Sequence, residues 1–442
     1  MVCIFFRSFE EMKSIFFFLL FLTFGISSLA QKDYEYVKSN RFEFSDKIYD
    51  SNIKTVMLYH STGEKLPPII TLGGDETLTL KFDLLGQNIG DFSYKVIHCD
   101  ANWQPDDLAE NLYLDGFNGG LIQDYELSFS TLQPFIHYWL EFPNFNLTPT
   151  VSGNYLLVVY DDYNEEITVL TRRFMVVERK VGINPKVTKS VEIAEREMKQ
   201  RIIFDLDHSA LDVNNPLAEI KVVVRQNRRW DNAKTNLRPR LIEEEKLIFD
   251  DNDGCVFYAG NEFRFFDLRS VRFQSERIAN IRKDSIFKAY LSPDRTRQFD
   301  PYQSFQDENG SYFIRKNEGY NPDLEADYVN VVFTYPRSIP FTSGPLFLFG
   351  SFSDWRIHSD FKMEFKDGVG VYTKTVMLKQ GYYNYAYGIP KGGMAQLSMS
   401  ETEGDFFDTE NEYMIQVYFR GVTDRFDRLV GVSRFSSVDF IR

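Results

Sequence analysis

The sequence has few of the residues on which most catalytic and metal sites depend. Its 442 residues include only five histidines and three cysteines. It contains no HExxH or GxSxG motif and no phosphate-binding glycine loop, and no histidine lies at ligand spacing from another histidine or cysteine. We therefore expect no catalytic residue, no cofactor and no metal site. Acidic side chains are plentiful, but a sequence does not show which of them converge as a glycosidase pair would have to.

Positive charge and long apolar segments are also scarce. The chain carries 64 acidic against 50 basic residues, a net charge of −14, which disfavours nucleic acid and anionic lipid as partners. Its longest apolar run, residues 15–26, is too short to span a bilayer. With a lysine before it and a small-residue cleavage site at residues 28–30, it predicts a signal peptide with an upstream extension over residues 1–30. We expect an exported periplasmic protein that begins at Gln31 and has no membrane anchor of its own.

The three cysteines do not form the framework of a small disulfide-stapled domain. Cys3 lies in the upstream extension and has no lipobox around it, so no lipid anchor is predicted. Cys99 and Cys255 are far apart in the sequence, and we expect them to be buried free thiols. Export permits a disulfide between them, and the sequence does not decide whether they pair.

Helical periodicity is scarce, whereas aromatic and β-branched residues are abundant and turn signals recur at short spacing. This pattern is typical of an all-β chain, and it predicts tandem β-sandwich domains of the immunoglobulin-like or E-set kind. We expect an N-terminal sandwich over residues 31–182, a second sandwich-like domain over 183–338 and a C-terminal sandwich over 339–442. The last is predicted to end with a closing strand at 412–419.

The stretch from Tyr94 to Tyr125, which we call the excursion, departs from the alternating pattern of the strands around it. It is rich in Asp, Asn, Gly and aromatic residues. Loops longer than about 12–15 residues in compact domains are usually functional or disordered. This stretch has too many apolar side chains for a disordered segment. The sequence therefore predicts an ordered, packed excursion from the first domain.

His98, Cys99 and Asp100 are consecutive residues within the excursion and form the one local cluster of metal-ligand types. Consecutive residues of a strand point to alternate faces, so these three are poorly placed to bind one metal ion. We instead expect a strand end at which His98 and Asp100 hydrogen-bond to the loop that follows.

The C-terminal segments GSFSDW (350–355), GVGVYTKTV (368–376) and LKQGYYNYAY (378–387) resemble the glycogen-binding β-sandwich modules of starch-debranching enzymes and of the β subunit of AMP-activated kinase. Trp355 falls at the first tryptophan position of that family. The family's lysine is replaced by Ala386, and residues 390–400 lack its second sugar-stacking tryptophan. The resemblance supports the fold, and it implies that Trp355 is a structural anchor at a vestigial sugar site.

The whole predicted mature chain resembles the type IX secretion system plug protein family of Bacteroidetes, formerly a domain of unknown function. Short matches in order along the chain carry this resemblance. In the first domain they are Tyr94, His98-Cys99-Asp100, Trp103-Gln104-Pro105, Tyr113-Leu114-Asp115-Gly116-Phe117, Ile122, Tyr125, Ser128, Pro143-Asn144 and Ser152-Gly153-Asn154-Tyr155. Further along they are Asn215-Pro216, Gln226-Asn227, Gly260-Asn261-Glu262-Phe263-Arg264, Asp267, Asn309-Gly310 and Asp327-Tyr328.

The resemblance implies a non-catalytic, monomeric periplasmic protein that binds the very large outer-membrane β-barrel translocon of type IX secretion and closes its periplasmic opening. Under this hypothesis the excursion is a candidate contact surface. Its candidate contact residues are Trp103, Gln104, Asp106, Asp107, Asn118 and Asp124.

Two other functions stay open from the sequence alone. The aromatic content and the GSFSDW segment suggest an exported carbohydrate-binding or glycan-processing protein, for which Trp355 would be the residue to test. A β-sandwich esterase or protease is a third alternative, but the chain carries no nucleophile motif.

Overall fold

The computed structural model describes residues 42–252, 254–392 and 396–441. The predicted signal peptide and its cleavage site lie outside these residues. Strands dominate the described chain, and its helices are single turns, α1 (Pro216–Glu219), α2 (Pro322–Glu325) and α3 (Val438–Ile441). Within the described ranges no helix has the length and apolar character needed to cross a membrane. The prediction of an all-β chain of sandwiches is confirmed.

Two antiparallel sheets form the first sandwich, one ordered β1-β12-β11-β5-β7 with β3 added beside β12, the other ordered β2-β4-β9-β8. Strands β6 and β10 pair as a separate ribbon. The strands are β1 (Lys47–Ile48), β2 (Ile53–His60), β3 (Ile69–Thr71), β4 (Leu78–Leu85), β5 (Phe92–Cys99), β6 (Leu114–Gly116), β7 (Gly120–Leu121), β8 (Asp124–Leu127), β9 (Phe135–Phe142), β10 (Leu147–Pro149), β11 (Gly153–Asp161) and β12 (Asn164–Val177).

Alternation of side chains explains why these segments form a core. On β4, Leu78, Leu80 and Phe82 share one face and are fully buried, as successive residues of a strand point to opposite sides. They pack against Val96 and Leu157 of the facing sheet in one apolar cluster. Burial of a large apolar side chain stabilises the fold by about 1.5–3 kcal/mol, so this face holds the two sheets together.

The remaining strands build two further sandwiches. The strands in chain order are β13 (Gly182–Lys189), β14 (Lys199–Asp207), β15 (Ile220–Gln226), β16 (Leu241–Ile242), β17 (Lys246–Phe249), β18 (Val256–Tyr258), β19 (Arg264–Asp267), β20 (Ile278–Arg282), β21 (Phe287–Leu291), β22 (Tyr312–Ile314), β23 (Tyr328–Pro336), β24 (Phe347–Phe349), β25 (Glu364–Lys366), β26 (Val371–Lys379), β27 (Gly381–Lys391), β28 (Gln396–Ser398), β29 (Glu412–Phe419) and β30 (Arg428–Ser436).

Strand pairing differs from the expected division at residues 338 and 339. The second sandwich packs the sheet β13-β14-β17-β16, with β18 beside β14, against the sheet β15-β29-β30. The third packs β19-β27-β22, with β24 and β28 beside β27, against β20-β21-β23-β26-β25. The chain thus leaves the second sandwich after β18, builds the third, and returns. The strand at 412–419, expected to close the third domain, pairs with β15, because Val222, Val224, Ile415 and Val417 share one buried cluster.

Candidate interaction surface

The excursion covers the edge of a sheet. After β5 ends at Cys99, the chain turns back along that strand and bonds to it at intervals. Asp106 N donates to His98 O at 3.1 Å, Val96 N donates to the side-chain oxygen of Asn118 at 3.0 Å, and Ile122 N donates to Phe92 O at 2.7 Å. The excursion then crosses to the other sheet as β8, beside β9. The exposed edge of β5 is thereby covered, as folded proteins do to avoid pairing with other chains.

The prediction for His98-Cys99-Asp100 is confirmed. His98 Nδ1 and Asp106 Oδ2 lie 2.6 Å apart, and Asp100 Oδ1 accepts from the backbone N–H groups of Asn102 and Gln104 at 2.8 Å. These bonds fix the turn that leaves the strand. In the described ranges no three His, Cys, Asp or Glu side chains are grouped as a metal site would require.

Both described cysteines are buried and unpaired with each other, as expected for free thiols. Burial raises the pKa of Cys99 and of Cys255 far above the usual range of a thiol. Because the thiolate is the reactive form, neither side chain has the electrostatic surroundings of a nucleophile.

Three of the six candidate contact residues serve the fold. Trp103 is buried where the first sandwich meets the second, with its ring 5.2 Å from that of Trp230 and 4.4 Å from the guanidinium of Arg173. The Asp106 side chain is 8% exposed against His98. Asn118 has a positive φ of 50°, and its side-chain oxygen accepts a hydrogen bond from the backbone N–H of Val96 on β5.

The other three candidates, Gln104, Asp107 and Asp124, are exposed. They belong to a larger surface that we call the excursion face. Its exposed acidic and apolar side chains are Asp107, Glu110, Asp115, Asp124, Leu112, Phe117, Leu121 and Phe145. Phe117 and Phe145 are 83% and 87% exposed, and Phe117 N bonds to Asn146 O at 2.9 Å, which brings the two aromatic segments together. Exposed apolar side chains grouped with charge are typical of a protein-binding surface.

A charge pattern in the sequence also marks this face. Between Lys95 and Arg172 the chain has no lysine or arginine, although it has twelve aspartates and glutamates. The first sandwich therefore carries an acidic segment of 76 residues that includes the whole exposed part of the excursion face. The absence of basic residues from this segment is a sequence signal for the surface, whereas the aromatic character of Trp103 is not, since that side chain is buried.

Trp355 has a packing role. Its ring lies 5.0 Å from that of Phe349 and 5.8 Å from that of Phe263, both in edge-to-face contact. A side chain at Gly310 would come within 2.1 Å of the indole, so the backbone passes directly over this ring.

Acidic groups with shifted pKa values lie in networks that hold loops in place. Burial raises the pKa of Asp307 to about 7, and its carboxylate accepts from the backbone N–H of Asn309 at 2.7 Å. Burial opposes ionisation of Glu403, but Arg264 and Arg297 more than offset it and lower the pKa of that carboxyl. The carboxyl groups of Asp307 and Glu403 therefore hold loop segments in place.

The comparisons with known proteins agree with the fold. Residues 53–178 match the model of the type 9 secretion system plug protein first domain. The crystal structure of a hypothetical protein from Parabacteroides merdae is 32% identical in sequence and superposes with a TM-score of 0.87, covering 89% of this chain and 100% of that one. No curated protein sequence matches the chain. The matched segment contains the excursion and every strand of the first sandwich except β1, and this part of the chain belongs to the type 9 secretion system plug protein family.

Proposed function

We propose that this protein is a non-catalytic periplasmic plug that binds the outer-membrane β-barrel translocon of type 9 secretion and closes its periplasmic opening. Membership of the plug family supports a role in this secretion system. The observation that carries the finer proposal is the excursion face, which combines exposed apolar and acidic side chains on a part of the fold that is well fixed.

The excursion face is suited to a partner that is released again. Its aromatic side chains, Phe117 and Phe145, offer the apolar contact area on which binding depends, while its acids remain hydrated until a partner arrives. Acidic side chains at the rim of an interface mainly set the association rate and the choice of partner. We infer that this face meets a basic, partly apolar rim at the opening of the barrel.

Fixed geometry also supports a sealing role. The excursion is bonded to β5 at three places along its length, and its aromatic residue Tyr113 packs in the core of the first sandwich. A surface that is ordered before binding loses little conformational entropy on contact. A plug with this face can therefore close an opening without having to fold onto it.

Recovery of the translocon with a tagged protein tests the proposal. We expect the wild-type protein to recover a very large β-barrel from detergent-solubilised outer membranes. Reversing four exposed acids, Asp107, Glu110, Asp115 and Asp124, to lysine should reduce recovery by about tenfold or more, since charge steering changes association by such factors. Asp106 is left unchanged, because its side chain is bonded to His98 and its reversal would damage the fold.

The matched control reverses four exposed acids of the second sandwich, Glu192, Glu243, Glu244 and Glu245, and should recover the barrel as the wild type does. Thermal unfolding of both variants shows that they are folded. Loss of recovery in both variants, or in neither, would place the contact elsewhere. Failure of the wild type to recover any barrel would contradict the binding itself.

A further inference from the structure

A cavity of about 180 Å³ lies where the three sandwiches meet. Tyr59 and Met175 line it from the first sandwich, Trp230 from the second, and Tyr312 and Trp355 from the third. The cavity is partly open to solvent, and it is distinct from the excursion face. Aromatic walls at a junction of domains are typical of small-molecule sites.

Four arginines also line this cavity, against three carboxylates. Two of the arginines have carboxylate partners, since Arg172 lies 3.2 Å from Asp354 and Arg228 lies 3.5 Å from Glu412. The other two are Arg173 and Arg225. Among the described residues neither guanidinium forms an ion pair with a carboxylate, but Arg173 donates both Nε and Nη2 to the backbone oxygen of Phe44.

Both of these guanidinium groups stack on one indole. The guanidinium carbon of Arg225 lies 3.8 Å from the ring centre of Trp230, and that of Arg173 lies 4.8 Å from it. A ring face attracts a cation but does not neutralise its charge. Burial lowers the pKa of each to about 10, although the carboxylate of Asp46, which also lines the cavity, favours the charged form of both. Arg225 nevertheless has no carboxylate in direct contact, which is unfavourable for a buried charge.

The free hydrogen-bond donors of Arg225 indicate what kind of partner this side chain lacks. Arg225 is 5% exposed, its Nε has no acceptor, and its Nη2 faces only the sulfur of Met414 at 3.2 Å. In two other arginines of the protein, Nε and Nη2 both donate to one carboxylate. Arg428 donates Nε and Nη2 to Glu178 at 2.8 and 2.6 Å, and Arg229 donates the same pair to Asp231. A planar carboxylate fits such a fork with two parallel bonds.

We propose that this cavity binds a small free carboxylate, which Arg225 holds and whose charge offsets that of Arg225. A cavity of this volume has room for a small acid of three or four carbon atoms. Trp230 and Trp355 contact its carbon atoms. The ligand would tie together the three sandwiches that line the cavity, which is a property separate from contact with a translocon.

Thermal unfolding with sodium malonate as the probe tests the site. At constant ionic strength, set with sodium chloride, malonate should raise the Tm of the wild-type protein saturably by about 2 °C or more. Arg225→Met should lose this shift, while Arg240→Met, at an exposed arginine of the second sandwich, should keep it. Without malonate, Arg225→Met should be as stable as the wild type or more stable, because an unpaired buried charge is removed.

Arg225→Lys is the second variant, since it keeps the charge but loses the fork, and its malonate shift should be smaller than that of the wild type. Absence of a malonate shift in the wild type, as expected if water alone fills the cavity, would overturn the site. An equal shift in Arg225→Met would do the same. A response to inorganic phosphate or to the peptide Gly-Glu-Gly, but not to malonate, would overturn the assignment to a small free carboxylate.

Discussion

Buried carboxylates in this protein connect one sandwich to another. Asp83 of the first sandwich accepts from Lys379 Nζ at 2.6 Å and from the hydroxyl of Tyr328 at 2.7 Å, both in the third. Asp427, in the loop between β29 and β30, accepts from the backbone N–H of Ala101 in the excursion at 2.9 Å. Because a buried charge needs a partner, each such group fixes the position of the neighbouring sandwich.

Glu178, which follows β12, provides a pH-dependent contact of this kind. Partial burial would raise the pKa of its carboxyl, but hydrogen bonds from Arg428, Ser152 and Lys180 lower that pKa to about 2. An unfolded glutamate has a pKa of about 4.3, so the folded state is stabilised above that pH. This stabilisation is lost as the pH falls from about 4.3 towards 2.

We therefore expect Glu178→Gln to lower the free energy of unfolding by about 2 kcal/mol at pH 6, the usual cost of losing hydrogen bonds to a charged group. The difference from the wild type should shrink as the pH falls below 4. Urea unfolding at pH 6 and pH 3.5 measures both values. Glu197→Gln, which breaks a surface ion pair with Lys189, should have little effect at either pH. A difference for Glu178→Gln that does not change with pH would contradict this account.

At the scale of elements, the excursion depends on a close approach between two backbone segments. Gly119 has a φ of +120°, and a Cβ atom there would lie 1.8 Å from the carbonyl oxygen of Tyr94 on β5. That oxygen is on β5, whose other side is hydrogen-bonded to β11, so it cannot move aside independently. Glycine is therefore required both for the backbone conformation and for the space.

Gly119→Ala should destabilise the protein by about 3 kcal/mol or more and should expose the excursion to proteases. Gly86, with a φ of +110° and no atom within 4 Å of a Cβ, is a matched control. Gly86→Ala introduces only backbone strain, which should lower the free energy of unfolding by about 1–2 kcal/mol. Urea unfolding gives both losses, and limited proteolysis shows whether cleavage falls within 100–123. Equal losses would mean that the contact with Tyr94 does not hold the excursion in place.

Local sequence patterns predicted the strands better than their partners. The abundance of aromatic and β-branched residues predicted an all-β chain, which the structure confirms. The pattern of β29 also identified a strand, but an alternating strand can join any sheet with a free edge. Its pairing with β15, far earlier in the chain, depends on cores that no local window contains.

The candidate site was predictable only in part for a similar reason. That the excursion is ordered follows from its apolar content, and Tyr113 and Ile122 are indeed buried. Aromatic character alone did not distinguish Trp103, which meets Trp230 and Arg173 between sandwiches, from Phe117, which is exposed. That distinction depends on residues distant in sequence, whereas the absence of basic residues around Phe117 is a local signal.

At the scale of the whole molecule, the path of the chain and the contacts between sandwiches favour one rigid unit. The third sandwich interrupts the second, because the strands that complete the second follow it in the sequence. The first is bound to the third through Asp83 and Lys379, and Asp327 accepts from the backbone N–H groups of Leu132 and Gln133. The proposed sealing function favours such bonds between sandwiches, since a hinge between them would allow the plug to bend out of the opening.

We expect the wild-type protein to unfold in a single calorimetric transition, with equal calorimetric and van't Hoff enthalpies. Lys379→Met leaves the buried carboxylate of Asp83 without its cation, which costs about 3–5 kcal/mol at the contact of the first and third sandwiches. That loss should separate unfolding into two transitions. Lys366→Met, at an exposed lysine of the third sandwich, should leave a single transition. Two transitions in the wild type, or one in Lys379→Met at an unchanged Tm, would show that this contact does not couple the sandwiches.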